Sequence, residues 1–148
     1  MSSSFVPLIP CNVAGPLGVL HLPRLWLKVS LEARGQLAAG YPGIGKGFDS
    51  MVIAGLGLSA DAVRTFITEH RPSYAEFERW VKTQPGVKID RASIYQLNQS
   101  ILNYHHSAEI RQEILRNAGY PDDGSVTGSA VELNAIDDWT AFHASVLK

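Results

Sequence analysis

The sequence predicts an all-α fold, a compact single-domain bundle of about six or seven short helices with a proline-containing N-terminal arm. Three observations carry this prediction. From Leu22 onward the apolar residues step by threes and fours, no run alternates with the period of a strand, and cap residues recur where such steps begin. With 148 residues and 45% hydrophobic side chains, the chain can bury roughly two thirds of its unfolded surface in one core without disulfides or metal.

Residues 1–20 hold Pro7, Pro10 and Pro16 and no charged side chain, so they read as an extended arm lying against a single helical domain of residues 21–148. Leu22, Leu25, Trp26, Val29, Ala33 and Leu37 mark one face of the first helix, with Pro23 in its first turn and Gly40 as its stop. From Gly40 to Gly47 the composition permits only a loop. Met51, Val52, Ala54 and Leu56 make a short helix that Gly55 and Gly57 weaken and end, and Ser59 caps the next, whose buried face is Val63, Phe66, Ile67 and His70 up to Pro72. Ser73 and Glu76 have capping-box spacing ahead of Phe77, Trp80 and Val81, and Pro85-Gly86 closes that helix. Asp90 caps a helix turning Ile94, Leu97, Ile101 and Tyr104 inward; Ser107 caps one carrying Ile110, Ile114 and Leu115 to Gly119. Ser129 and Glu132 repeat the capping-box spacing, and Leu133, Ile136, Trp139, His143 and Val146 continue at helical intervals.

Thirteen Lys and Arg against fourteen Asp and Glu give a formal charge of -1, without the basic surplus that binding to a phosphate backbone requires. Cys11 is the only cysteine, which excludes an intrachain disulfide framework and a Cys-rich zinc site and fits the reducing cytoplasm. No apolar run approaches the roughly 18 to 20 residues of a membrane span, and the N-terminal stretch lacks a basic leader. The expected partner is therefore a small molecule rather than nucleic acid or membrane.

The most informative stretch is His21-Leu-Pro-Arg24-Leu-Trp-Leu-Lys28. Arg24 and Lys28 lie four apart on one helix face, His21 sits at its entry, and such like charges repel by a few tenths of a kcal/mol. An anion placed there reverses the penalty, whether it is a ligand or a carboxylate of the protein itself. Asp49, after the glycine loop, is the next candidate. The plainer roles are a surface pair between Lys28 and Glu32, an Arg24 projecting into solvent, and Asp49 as a helix cap.

Leu22-Pro23-Arg24 with Lys28, Asp49 followed by Gly57-Leu58-Ser59, Trp80-Val81, and Ile94 with Asn98 together resemble a bacterial family known as domain of unknown function 5069. The resemblance covers roughly residues 18 to 104 and extends weakly from Val126 to Asp138. It departs from the family pattern at Ser59, where Asp is expected, at Leu97, where Trp is expected, and in the glycine run before Asp49. The resemblance implies a small helical bacterial protein in which Arg24, Lys28 and Asp49 form one polar cluster; it supplies no reaction.

Other signals are weaker. Gly40 to Gly47 contains the skeleton of a phosphate-binding P-loop, but Gly47 replaces the Ser or Thr that meets magnesium and a helix precedes it where a strand is required. Lys46 can still close over an anion at Arg24. His105, His106 and Glu109 lack a second ligand pair for a metal, Asp137 and Asp138 read as the wet side of the last helix, and Cys11 reads as an inert thiol. Trp26, Trp80 and Trp139 read first as core, with Trp26 near enough to Arg24 to wall a pocket.

Two functions follow. In the first, the chain is an enzyme acting on a carboxylate-bearing metabolite by acid/base chemistry of isomerase, lyase or cyclase type, with no metal or cofactor. Arg24, Trp26, Lys46 and Asn98 then bind substrate, Lys28 and Asp49 carry the chemistry, and His21 is a reserve acid or base. In the second, the chain is a non-catalytic ligand-binding or protein-interaction module. Its apolar arm can pack across a neighbouring subunit, so a homodimer fits either function.

Overall fold

A computed structural model describes residues 3–126 and 128–148, and it is all-helical. The order is α1 (Leu22–Ala33), α2 (Phe48–Leu56), α3 (Ala60–His70), α4 (Tyr74–Lys82), α5 (Arg91–Leu102), α6 (Ala108–Ala118) and α7 (Ala130–Phe142), followed by a π-helical turn over His143–Leu147. Extended pairing among the described residues is limited to isolated bridges, Phe5 with Leu37, Ala14 with Leu20 and His105 with Ser129.

Five helices begin at caps whose side chains accept a backbone N–H three residues on: Ser59, Ser73, Asp90, Ser107 and Ser129. At Ser73 the capping box is complete, because the Glu76 carboxylate accepts the Ser73 N–H in return. Gly57 and Gly119 end α2 and α6 in the left-handed conformation that a residue without Cβ adopts at little cost.

Helices α1 to α5 share one core, built on Leu22, Leu25 and Val29 of α1, Val52 and Leu56 of α2, Val63 and Ile67 of α3, Phe77 and Val81 of α4, and Leu97 and Ile101 of α5. Cys11 and Val19 of the N-terminal segment are buried in it. Ile114 and Leu115 of α6 meet Leu133 of α7 in a smaller cluster. No single helix among the described residues is long and apolar enough to cross a membrane.

Four expectations are corrected. The first helix stops at Ala33, not Gly40: Gly35 turns with a positive φ, and Leu37 leaves the helix to bridge to Phe5, whose amide donates to the Gln36 carbonyl at 2.7 Å. His70 is exposed at the end of α3, stacked on the ring of Phe66. Tyr104 and Ile110 are exposed, although both line the cleft described below. On α7 the inward line runs through Val131 and Asp138 rather than through Trp139, which is 63% exposed, and Val146 also faces out.

Candidate functional site

The chain enters α1 through His21, whose backbone is left-handed (φ 71°, ψ -17°) and whose side chain makes no cap to the helix. That conformation costs a residue with a Cβ roughly 1–2 kcal/mol. It sends the imidazole inward, where His21 is 2% exposed. Pro23 in the first turn needs no hydrogen-bond partner for its nitrogen, and the next turns bring Arg24 and Lys28 to the same buried face.

Asp49 comes from the first turn of α2, directly after the glycine loop. The structure joins it to two of the predicted residues: His21 Nε2–H donates to Oδ1 at 2.6 Å, and Lys28 Nζ donates to Oδ2 at 2.5 Å. The Gly45 amide adds a third donor to Oδ2 at 2.8 Å. Asp49 is therefore no cap, since Gly47 holds that position, and its carboxylate accepts from three donors, one at Oδ1 and two at Oδ2. Burial works against its charge; the hydrogen bond from His21 and the ammonium of Lys28 outweigh that and hold its pKa at about 2.

The carboxylate also fixes the tautomer of His21. With an acceptor at Nε2 the proton stays there, and Nδ1 carries the lone pair. Nδ1 is buried and has no hydrogen-bond partner among the described residues. Burial is the largest influence on this imidazole and lowers its pKa, the charges of Arg24 and Lys28 act in the same direction, and together they overcome Asp49.

Arg24 is occupied elsewhere. It grips Asp138 of α7 with Nη1 at 2.6 Å from Oδ2 and Nη2 at 3.1 Å from Oδ1, and Nη1 also donates to the Pro7 and Ile9 carbonyls at 2.6 and 3.1 Å. The Tyr41 hydroxyl donates to Asp138 Oδ1 at 2.9 Å, and burial, with Asp138 beside it, raises the phenol's pKa and keeps it a donor. The expected anion for Arg24 is thus a carboxylate of the chain, 114 positions away.

A cleft of about 610 Å³ opens over these groups. His21, Arg24, Lys28, Asp49, Cys11, Asn134 and His106 contribute to its polar lining; Phe48, Tyr104 and Ile110 contribute to its apolar lining, with Gly40, Pro42, Gly45, Lys46 and Gly47 from the loop. Phe48 lies between His21 and Tyr104, its ring centroid 5.5 Å from each. Lys46 is exposed and has no ion pair among the described residues, whereas Arg24 and Lys28 are each neutralised.

Several expected roles are corrected by these positions. Trp26 donates its Nε1–H to the Pro72 carbonyl and packs edge-on against Tyr74, away from the cleft. Asn98 ties down the N-terminal segment, accepting from the Leu20 amide at 3.0 Å and donating to the Gly18 carbonyl at 2.8 Å. Glu32 pairs with Arg64 and accepts from the Gly43 amide instead of meeting Lys28. Asp138 is buried rather than solvated, and sequence reasoning missed it along with Asn134. Their signal is the helical spacing Val131, Asn134, Asp138, which puts two polar residues on one inward line.

Acid should weaken this fold in two stages. The folded-state pKa of His21 lies below its ordinary 6.5, so the unfolded chain binds the extra proton and stability, complete above about pH 6.5, declines as pH falls below it. Asp49, depressed from 3.8 to about 2, adds a second loss on the order of 2 kcal/mol as pH falls from about 4 toward 2. Thermal unfolding as a function of pH should show the first decline in the wild type and a flatter profile between pH 6.5 and 4 in His21→Gln.

No family model matches this chain, and neither a curated protein nor a solved structure matches it.

Proposed function

We propose that the chain is a small-molecule enzyme that works by cofactor-independent acid/base chemistry, with His21 as the general base. The observation that carries this reading is a 98%-buried imidazole lining a cleft, tethered to a carboxylate through one nitrogen and unpartnered at the other. A base held in one tautomer and kept neutral by its surroundings keeps the lone pair of its second nitrogen available for a substrate proton.

The roles of the neighbours follow from their bonds. Asp49 orients His21 and stabilises the imidazolium that forms, and Lys28 holds Asp49 ionised so that the proton stays on the ring. With Arg24 engaged by Asp138, a substrate carboxylate falls to Lys46 at the edge of the cleft. Phe48, Tyr104 and Ile110 offer apolar contact to the remainder of a compact metabolite. Isomerisation, elimination and cyclisation can each begin with such a proton abstraction. The resemblance to domain of unknown function 5069 passes through Lys28 and Asp49, which supports treating that pair as one unit, whereas Arg24 belongs to a separate pair with Asp138.

The test has two parts. Nitrogen-15 NMR of the imidazoles at pH 7 should find His21 protonated at Nε2 alone; an imidazolium or an Nδ1–H tautomer there defeats the assignment. A panel of small carboxylates incubated in D₂O should then reveal a compound whose C–H exchanges, with His21→Gln slowing that exchange by roughly 10²–10⁴-fold while retaining helical circular dichroism. An unchanged rate in the variant removes His21 from the chemistry.

A second reading, an interaction module or homodimer, draws on a different face. Trp139, Tyr120 and Ile136 line one shallow hollow on α7 and its surroundings, and Trp139 and Tyr120 are exposed. A strictly monomeric chain in sedimentation would count against self-association.

A further inference from the structure

A base that removes a proton solves half of an isomerisation; the same substrate must receive a proton at another face or position. This second half concerns the cleft of the reading above and rests on it. Cys11 lines the cleft together with His21 and is 1% exposed. It is the only cysteine in the chain. By itself a buried thiol signifies nothing, but two features of its surroundings point to a ligand. The first is His21 Nδ1, buried and unpartnered, on a ring that lines the same cleft; since Nε2 is turned to Asp49, Nδ1 is the nitrogen left for an occupant. No hydrogen bond joins it to Cys11.

The second feature is how the sulfur is held. Asn134 Nδ2–H donates to Cys11 Sγ at 3.6 Å, and His106 Nε2–H donates to Asn134 Oδ1 at 2.7 Å. With its oxygen taken by His106, the amide turns its NH₂ toward the sulfur. That donor does more for a thiolate than for a thiol, so it favours the state Cys11 reaches after giving up its proton.

We propose that Cys11 is the catalytic proton donor opposite His21, and that the substrate is a carbon acid, a metabolite whose C–H is acidified by an adjacent carbonyl or carboxylate. The C–H bond breaks, its proton bonds to His21 Nδ1, and its electron pair stays on the substrate as an enolate-type carbanion. The Sγ–H bond then breaks, its electron pair stays on sulfur, and its proton bonds to carbon at the opposite face or at a conjugated position. The product is an epimer or a double-bond isomer. The protein is left as an imidazolium and a thiolate, which proton exchange with water or the reverse passage resets. No oxidant, reductant or second substrate enters.

The resting states suit these roles. Burial raises the Cys11 thiol's pKa and lowers that of His21, so the pair waits as proton donor and neutral base. The charged groups acting on the sulfur are Arg24 of α1, which together with Asn134 favours the thiolate, and Asp138 of α7 and Asp49 of α2, which oppose it.

Because there is one cysteine, alkylation by iodoacetamide across pH, followed by intact mass, reads a single site in the folded wild-type protein. The expected result is one adduct, a rate at pH 7 roughly tenfold below that of free cysteine, and an inflection above the ordinary thiol pKa of about 8.5. Asn134→Ala should move the inflection higher, and the adduct should shift the His21 nitrogen-15 resonances. An inflection below about 8.5 would make Cys11 a resting thiolate, hence a nucleophile rather than an acid, and would overturn the proposal. So would a folded protein inert to the reagent at every pH, or His21 resonances that ignore the adduct. The wild-type inflection stands even if Asn134→Ala fails to fold. Failure of the underlying base assignment shows separately, in the unmodified protein, as a His21 protonated at Nδ1.

Discussion

Asp138→Ala is expected to destabilise the protein by about 3–5 kcal/mol, because it leaves the buried Arg24 guanidinium without its counter-charge. For a chain of this size that corresponds to a fall in Tm of roughly 6–20 °C. The Pro7 and Ile9 carbonyls remain as acceptors for Nη1, but they carry no charge and leave Nη2 unserved. Tyr41 also loses its acceptor, so the loop that carries it should loosen together with the N-terminal segment. Hydrogen exchange should register this as lost protection near Phe5 and Ala38, which pair across that seam. The double variant Arg24→Met with Asp138→Leu removes both charges and should recover most of the loss. If the single variant melts within a degree of the wild type, the pair is not the tie described here.

Asp49→Asn should be comparably costly and, in addition, chemically decisive. The Lys28 ammonium then faces a neutral amide in a buried setting, at a cost of about 3–5 kcal/mol. The amide cannot serve three donors as the carboxylate does. If its oxygen accepts from Lys28 and Gly45, its NH₂ points at His21 Nε2, which must become an acceptor, and the ring proton moves to Nδ1. The variant should thus show an inverted His21 tautomer by nitrogen-15 NMR along with the lowered Tm, and any proton-exchange activity should disappear with the lone pair. A tautomer unchanged from the wild type would mean that Asp49 does not set it.

The helices are legible in the sequence largely because their signals are local. Each cap at Ser59, Ser73, Asp90, Ser107 and Ser129 closes a bond within three residues, and Gly57 and Gly119 act on their own backbone. The end of α1 is not local: Leu37 keeps helical spacing, but its bridge to Phe5 decides the matter from more than thirty positions away. The site divides in the same way. His21, Arg24 and Lys28 are visible as a costly cluster of cations wanting an anion, and Asp49 as a carboxylate placed to return from the loop. Which anion meets which cation is set by packing. Arg24 goes to Asp138 across almost the whole chain, while His21 and Lys28 divide one aspartate. Trp26 and Asn98 show the opposite error: both lie close in sequence to the cluster or its pattern, yet their bonds to Pro72, Gly18 and Leu20 make them fasteners.

The left-handed turn at His21 has a practical consequence for anyone who varies that position. Glutamine, alanine and histidine all carry a β-carbon and meet much the same torsional burden there, so contrasts among them report on the ring and its bonds. Glycine alone escapes that burden, and a gain in folding on His21→Gly would therefore be a statement about the main chain, silent on what the imidazole contributes.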